Sequence, residues 1–244
     1  MTRRINLWSS PRNVSTAMMY AWRQRADTTV VDEPLYAHYL RRSGRIHPGR
    51  EEVLEGQDND GEAVVRDVIL ADRDRPIVLF KHMAKHLIDL DRSFLGRCAN
   101  VLLTRDPWEM LTSFQRQVPD TTLDDTGLVE MMEILDAVEA GGAEPIVIEA
   151  RTLLADPPGV LAELCRRLDV PFDPAMLSWP AGPKPEDGVW APHWYDAVHR
   201  STGWDRWRPK DDRLLPELEA VLSQAQPLYR RLQERAITAD GADR

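Results

Sequence analysis

Short apolar runs alternate with amphipathic runs along this chain, and the alternation limits the available folds more than any other feature. Five of the runs have the length and apolar character of buried strands: residues 4–8, 28–31, 76–80, 101–103 and 145–148. After the first run, five apolar residues recur at the i, i+3, i+4, i+7, i+8 spacing of one helix face, which predicts a helix over residues 13–25: Val14, Ala17, Met18, Ala21 and Trp22. Strands that alternate with helices predict a single α/β domain, in which a central, doubly wound parallel sheet carries helices on both faces.

Length and charge narrow the class of protein. The 244 residues suffice for one large domain, with residues 35–72 as a mostly helical insertion, residues 179–210 as an irregular segment rich in aromatic residues and residues 212–234 as a final helix. A net charge of −9 lacks the basic excess of nucleic-acid binders, and the apolar runs are too short to cross a bilayer. Two cysteines, Cys98 and Cys165, do not make a disulfide framework. We therefore expect a cytoplasmic protein with neither a nucleic-acid nor a membrane partner.

A polar turn joins the first predicted strand to the first predicted helix, with the sequence Ser10-Pro11-Arg12-Asn13-Val14-Ser15-Thr16. A helix N-terminus presents unpaired backbone N–H groups and the positive end of the helix dipole, and both attract phosphate or sulfate. Arg12 adds a cation, while Ser15 and Thr16 add hydroxyl donors. The turn lacks the glycines and the lysine of a Walker A loop. The alternative is an ordinary strand-to-helix turn that a serine or asparagine caps.

A second candidate anion contact follows the fourth predicted strand. Arg105 ends that strand, and Ser113 stands about two turns along a helix that Asp106 caps and Pro107 begins. Because such folds bind ligands at the carboxyl ends of their parallel strands, Arg105 and Ser113 are placed to hold one phosphate from two sides. A helix-end ion pair and a solvated hydroxyl are the competing interpretation.

Four segments together make the chain resemble the sulfotransferases that use 3′-phosphoadenosine 5′-phosphosulfate (PAPS). The turn over residues 10–16 resembles their 5′-phosphosulfate loop, and Arg105 with Ser113 keeps the spacing of their 3′-phosphate site. Residues 153–172 resemble the segment after the family's fourth core strand, and Arg200-Ser201-Thr202-Gly203-Trp204 is similar to the loop that closes over the nucleotide. The resemblance is to a bacterial and plant branch labelled branched-chain aminotransferase-like, and it implies a P-loop-like fold.

The resemblance also implies which residues bind the nucleotide: Arg12, Asn13, Val14, Ser15, Thr16, Arg105, Ser113, Arg200, Ser201, Thr202 and Gly203. The chain departs from the family at two points, since Val14 replaces a loop glycine and Ala150-Arg151-Thr152 replaces a Tyr-Glu-Asp whose tyrosine contacts adenine. The implied reaction is in-line transfer of a sulfuryl group from PAPS to a hydroxyl or amine of a small-molecule acceptor. Arg12 would stabilise the departing 5′-phosphate, and no metal is expected.

An acceptor hydroxyl needs a base, and the resemblance offers two. Asp32-Glu33-Pro34 resembles the glutamate base position of some bacterial and protein-tyrosine sulfotransferases, and Lys81-His82 ends its strand much as the Lys-Thr-His of the cytosolic branch does. Since Glu33 and His82 both follow predicted strands, both are expected at one edge of the sheet, with Lys81 neutralising the moving sulfuryl group. The competing interpretations are a helix-start carboxylate for Glu33 and a hydrogen-bonded core residue for His82.

Half of the eight tryptophans lie between residues 190 and 207, beside Tyr195: Trp190, Trp194, Trp204 and Trp207. One interpretation is that these rings anchor an irregular segment to the core. The other is that the segment is a lid or a pocket wall, in which Trp190, Trp194 and Tyr195, with Glu33, surround an acceptor that carries an alkylammonium group or a flat ring.

Two other functions stay open on the sequence. A P-loop-like kinase or nucleotide hydrolase would need a Walker lysine and a magnesium-binding aspartate, and neither is evident. A non-catalytic nucleotide-binding protein of the same fold would keep the phosphate contacts and need neither Glu33 nor His82. Lys81 and Lys85 leave a pyridoxal-phosphate site open, and His82 with His86 has the i, i+4 spacing of a metal pair for which no third ligand is apparent.

Overall fold

The computed structural model describes residues 2–115, 120–209 and 212–238. One parallel sheet runs through it, made of β1 (Arg3–Ser9), β2 (Thr28–Asp32), β3 (Ile77–Met83), β4 (Ala99–Thr104) and β5 (Ile146–Glu149). The strand order is β2-β3-β1-β4-β5, and every neighbouring pair is parallel. The α-helices are α1 (Ser15–Arg23), α2 (Tyr36–Ser43), α3 (Arg50–Gly56), α4 (Gly61–Val64), α5 (Pro107–Phe114), α6 (Leu128–Ala140), α7 (Ala150–Ala155), α8 (Pro157–Arg167), α9 (Ala191–Trp194), α10 (Asp196–Arg200) and α11 (Glu219–Gln233).

Two helix layers cover the two faces of the sheet. Successive side chains of a strand point to opposite faces, so Ile5 and Leu7 of β1 pack with α1 and α8, whereas Trp8 packs with α6 and α11. In β3 the same alternation sends Leu79 toward the first layer and Phe80 toward the second. The predicted fold class, a parallel sheet with helices on both faces, is confirmed.

The chain between β2 and β3 contains α2, α3 and α4, the last of which continues as a π-helical turn, Val65–Ile69. A third apolar cluster joins this stretch to the segment rich in aromatic residues, through Tyr36, Tyr39, Trp190 and Tyr195. The two stretches therefore meet near the carboxyl end of β2, where they border the same cleft.

In the C-terminal part of the chain, two segments differ from their predicted form. The stretch over residues 179–210 is not wholly irregular, since it contains the short helices α9 and α10, and residue 210 lies outside the described residues. The final helix begins later than residue 212, because a 3₁₀ turn, Pro216–Leu218, precedes α11 and proline disfavours the helical conformation in the residue before it. In the described part of the chain, no helix has both the length and the apolar character needed to cross a bilayer.

Candidate functional site

A cleft of about 880 Å³ opens at the carboxyl ends of the strands. The connections that leave β1 and β3 run in opposite directions, toward β2 and β4, and open α/β sheets bind ligands at such a point. Most of the site residues predicted from the sequence line this one cleft: Arg12, Asn13, Val14, Ser15, Thr16, Glu33, Lys81, Arg105, Ser113, Trp190, Trp194, Tyr195, Ser201 and Gly203.

The loop between β1 and α1 presents the helix N-terminus to the cleft. Asn13 Nδ2 donates to the Leu103 carbonyl at 2.8 Å, and the Val14 N–H donates to Asn13 Oδ1 at 2.8 Å. Within the part of the chain that the structure describes, no side chain caps α1, so the cap of the competing interpretation is not formed and the first N–H groups of the helix keep no helical partner. Val14 has φ of −92°, a conformation open to any residue, which explains why this loop does not require the family's glycine there.

The two predicted anion contacts form one continuous group. Arg12 Nε donates to Ser113 Oγ at 3.2 Å, and Arg105 Nη1 donates to the Arg12 carbonyl. Glu109, for which the motifs gave no site role, pairs with Arg105 at 3.0 Å, and Trp207 Nε1 donates to its other oxygen at 2.7 Å. The ion pair of the competing interpretation is therefore present, and the i, i+4 spacing of Arg105 and Glu109 was its sequence signal.

The loop over residues 200–203 reaches the cleft only in part. Ser201 and Gly203 line the cleft, but Arg200 and Thr202 do not. The Arg200 side chain is 69% exposed and pairs with Asp196 one helical turn earlier. Arg200 and Thr202, which were predicted to contact the nucleotide, therefore do not lie at the cleft.

A buried cluster of charged groups lies at the ends of β2 and β3. Lys81 is 1% exposed, and its Nζ donates to Asp32 Oδ1 at 3.0 Å, to Tyr195 Oη at 2.6 Å and to Glu33 Oε1. Burial acts to lower the pKa of Lys81, but the charges of Asp32 and Glu33 outweigh it and raise that pKa. All three N–H donors of the ammonium are therefore in use. Lys81 was predicted to neutralise the moving sulfuryl group, and in this arrangement it can act on that group only as a fixed positive charge.

Glu33 lies at the cleft in an unusual backbone conformation. Its φ is +42°, in the left-handed region that costs a non-glycine residue on the order of 1 kcal/mol or more. Three hydrogen bonds hold it there: the Glu33 N–H donates to the Lys81 carbonyl at 2.8 Å, and the Glu33 carbonyl accepts from the Tyr36 N–H at 3.0 Å and from Gln57 Nε2 at 3.2 Å. Burial raises the pKa of the Glu33 carboxyl, which the Lys81 charge opposes and the Asp32 charge reinforces. A raised carboxyl pKa suits a general base.

His82 is not at the cleft, and the expectation that it would meet Glu33 was wrong. β3 runs on to Met83, so His82 lies inside the strand and points to the face opposite Lys81. It is fully buried, stacks on Trp8 with 4.1 Å between ring centroids, and has Nε2 3.3 Å from Asn6 Oδ1. Burial lowers the pKa of His82 to about 3, which leaves a neutral core side chain.

His86 takes the place at the cleft that was expected of His82. A short helical turn after β3 brings its Nε2 to 3.9 Å from Glu33 Oε2. The ring stacks against Tyr36 and Tyr39, with 4.9 Å between centroids in both pairs. Burial lowers the pKa of His86 well below its usual value, so the ring is neutral at pH 7. Among the described residues, no group of His, Cys, Asp and Glu side chains is arranged to hold a metal ion.

The aromatic segment combines the two interpretations offered for it. Trp190 is 2% exposed, and its Nε1 donates to Tyr195 Oη at 3.0 Å, so both rings anchor the segment. Trp194 is half-buried and lines the cleft. Farther along, the Arg151 guanidinium lies 3.9 Å from the centroid of the Trp207 ring.

Comparison with known proteins identifies the family of this chain. A model of the sulfotransferase domain matches residues 3–236, and the chain belongs to that family. Two Arabidopsis thaliana relatives, branched-chain-amino-acid aminotransferase-like proteins 1 and 2, are 42% and 38% identical to it over 227 residues. That alignment covers 92% of this chain and 40% of each relative, so the chain spans about 40% of the length of these relatives. The family and the branch predicted from the sequence are confirmed.

Two solved structures share the fold. The sulfotransferase domain from the curacin biosynthetic pathway gives a TM-score of 0.53 at 17% identity and covers 93% of this chain and 98% of its own. The sulfotransferase from Alicyclobacillus acidocaldarius gives 0.56 at 14% identity and covers 97% of this chain and 98% of its own. At these identities the likeness concerns the fold alone.

Proposed function

We propose that this chain transfers the sulfuryl group of PAPS to a hydroxyl or amine of a small-molecule acceptor. One observation carries the proposal: the uncapped N-terminus of α1 and the Arg12, Arg105 and Ser113 group share a single cleft with the buried carboxyl of Glu33. One half of the cleft is thus suited to bind the anionic groups of the donor, and the other half to accept a proton. Membership of the sulfotransferase domain family supports the same reaction.

The groups at the loop between β1 and α1 fit the phosphosulfate of the donor. Ser10 Oγ is buried, has no hydrogen-bond partner among the described residues and belongs to a residue that lines the cleft. The Ser10 hydroxyl and the N–H groups at the start of α1 are hydrogen-bond donors that lack acceptors, and the oxygens of a phosphosulfate would be suitable acceptors. Arg105 and Ser113 would hold the 3′-phosphate.

Charge stabilisation and proton transfer fall to different residues. PAPS supplies an activated sulfuryl group, whose transfer resembles phosphoryl transfer in its loose, in-line transition state. As the bond from sulfur to the 5′-phosphate oxygen breaks, Arg12 and the N–H groups of α1 stabilise the negative charge left on that phosphate. Glu33 takes the acceptor proton while the acceptor oxygen or nitrogen bonds to sulfur. The products are the sulfated acceptor and 3′-phosphoadenosine 5′-phosphate (PAP).

Glu33 is the base that the geometry favours. Lys81 holds Oε1, which leaves Oε2 for the acceptor, and the neutral His86 ring borders the same space at 3.9 Å. A neutral imidazole there can orient the acceptor by a hydrogen bond, because one ring nitrogen donates and the other accepts. His82 has no part in the proposed step, since it lies in the core.

The melting temperature of the chain, measured with excess PAP, AMP or magnesium-ATP, tests the proposal. A ligand at about 100 times its Kd stabilises the folded state by about 2.7 kcal/mol, which is readily visible in a melting curve. We expect PAP to stabilise the chain more than AMP does, because only PAP carries the 3′-phosphate. A response to magnesium-ATP alone would favour a kinase, and PAP binding without turnover of PAPS would favour a non-catalytic nucleotide-binding protein.

A further inference from the structure

The Lys81 ammonium is shared by three partners, and they come from different parts of the fold. Asp32 ends β2, Glu33 follows it, and Tyr195 lies between α9 and α10. Tyr195 Oη also lies 2.8 Å from Asp32 Oδ2, so the tyrosine accepts from the ammonium and donates to the carboxylate. Asp32 and Lys81 are therefore joined both directly and through a phenol hydroxyl.

Asp32 and Glu33 are adjacent carboxylates with different surroundings. Asp32 accepts from Lys81, from Tyr195 and from the Gly188 N–H at 3.2 Å, and its side chain is 1% exposed. Glu33 accepts from Lys81 through Oε1, and its Oε2 is directed toward His86 and the cleft. Only Glu33 lines the cleft, so Asp32 acts on a bound acceptor solely through its neighbours.

We propose that Asp32 and Tyr195 are positioning residues, which set how the Lys81 ammonium is divided between two carboxylates: Asp32 attracts the ammonium and so keeps Glu33 available as a proton acceptor, and Tyr195 limits that attraction. The inference rests on the proposed function, in which Glu33 is the base. A lysine that paired with Glu33 alone would stabilise the ionised carboxylate and weaken it as a base. Asp32 draws part of that positive charge away, while Tyr195 holds Asp32 and Lys81 in register.

The two positioning residues act on Glu33 in opposite directions. In Asp32→Asn, the Lys81 charge falls on Glu33 alone, so the pKa of Glu33 drops. In Tyr195→Phe, Asp32 loses the hydrogen bond from the phenol and attracts the Lys81 ammonium more strongly. The ammonium then stabilises the Glu33 carboxylate less, so the pKa of Glu33 rises. Several titratable groups face Glu33 from the elements packed around it: Asp32 from β2, Lys81 from β3, Tyr36 from α2, His86 from the turn after β3 and Tyr195 from the segment before α10.

Infrared titration of the Glu33 carboxyl band tests the inference without any acceptor. The band is identified by its loss in Glu33→Gln, and its pH midpoint is compared among the native chain, Asp32→Asn and Tyr195→Phe. We expect a midpoint about one pH unit or more lower in Asp32→Asn and higher in Tyr195→Phe. Midpoints that stay in place, or that move in the same direction in both variants, overturn the inference. If Asp32→Asn does not fold, the upward shift in Tyr195→Phe decides alone.

Tyr20→Phe is the matched control. It also removes a buried phenol that donates to a carboxylate, Asp187, at 2.7 Å, in the same stretch of chain as Gly188. Among the described residues, no hydrogen bond joins Tyr20 to Lys81 or Glu33, so the Glu33 midpoint is expected to stay within a few tenths of a pH unit. A shift as large as that in Tyr195→Phe would show that general loosening, and not the shared ammonium, moves the band.

The pH profile of PAPS turnover separates the inference from the proposed function. If Glu33 is the base, the acidic limb of kcat moves with the infrared midpoint, down in Asp32→Asn and up in Tyr195→Phe. Infrared shifts in a chain that turns over no PAPS would support the division of the ammonium and contradict the proposed function. Turnover with an unmoved Glu33 midpoint would support the function and overturn the inference.

Discussion

Replacing Arg105 by alanine should weaken PAP binding far more than AMP binding. The Arg105 side chain is 16% exposed, so its hydrogen bond to a 3′-phosphate would be largely shielded from water. A hydrogen bond to a charged group contributes about 1.5–3 kcal/mol, which corresponds to about a 10- to 140-fold loss in affinity for PAP. AMP has no 3′-phosphate and does not make this contact.

Arg105→Ala also removes the hydrogen bond that Arg105 donates to the Arg12 carbonyl. Since Arg12 belongs to the loop that would hold the 5′-phosphate, the loss of this bond weakens the binding of PAP and of AMP by the same factor. The ratio of the two Kd values isolates the 3′-phosphate contact, and isothermal titration calorimetry at one fixed ionic strength measures both.

Arg23→Ala provides the control for Arg105→Ala. Arg23 also forms a partly buried pair with a glutamate, Glu186, at 2.7 Å, and it does not line the cleft. We expect the Kd ratio of PAP to AMP in this variant to equal that of the native chain. An equal loss of PAP and AMP affinity in Arg105→Ala would refute the placement of the 3′-phosphate at Arg105.

Three further outcomes follow from the same geometry. Glu33→Gln should abolish sulfuryl transfer while changing the calorimetric Kd for PAP less than about twofold, and retained transfer would move the base elsewhere. Glu109→Gln should tighten PAP binding up to about fivefold without affecting AMP, since it removes a negative charge 3.0 Å from Arg105; weaker PAP binding would instead make Glu109 a support for Arg105. His82→Gln should keep turnover and reduce the loss of stability on acidification. The pKa of His82 is about 3 in the folded state and 6.5 in the unfolded state, so the native chain loses stability as pH falls between these values, by up to about 1.4 kcal/mol per pH unit. If urea unfolding shows the same dependence of unfolding free energy on pH in the variant and in the native chain, His82 is not the buried neutral group responsible.

The parallel sheet and the anion loop could be predicted because both depend on local pattern. The helix face that begins at Val14 and the short apolar strands mark the elements, and a helix that follows a strand fixes where its N-terminus lies. The order of the strands depends on contacts between distant segments, such as β1 with β3, and no local pattern carries it.

The prediction placed His82 at the cleft, where the structure has His86, and this error shows the limit of prediction from local pattern. The predicted strand ended at residue 80, but pairing of Ser9 with Met83 extends β3 by three residues. Successive residues of a strand point to opposite faces, so the sequence did indicate that Lys81 and His82 would not face the same site if the strand continued through them. Nothing local indicated that the turn after β3 would bring His86 to Glu33.

The buried charge network was also beyond prediction from motifs. Tyr195 was expected to form a wall of the acceptor pocket, yet its hydroxyl bonds to Lys81 and Asp32, more than 110 positions away in the chain. Such a contact arises when the aromatic segment packs on α2 and the end of β2. The carboxylates and the lysine were visible in the sequence, but the sharing of one ammonium was not.

Transfer of labelled sulfur from PAPS to an acceptor is the decisive test of the proposed activity. The chain is incubated with PAPS labelled at the sulfuryl group and a mixture of phenols, alcohols and amines, with Glu33→Gln in parallel, and the products are separated by chromatography. We expect label on an organic acceptor, with an equal amount of PAP formed, in the native chain and not in Glu33→Gln. Label that stays on PAPS with every acceptor, or that is transferred equally by Glu33→Gln, would contradict it.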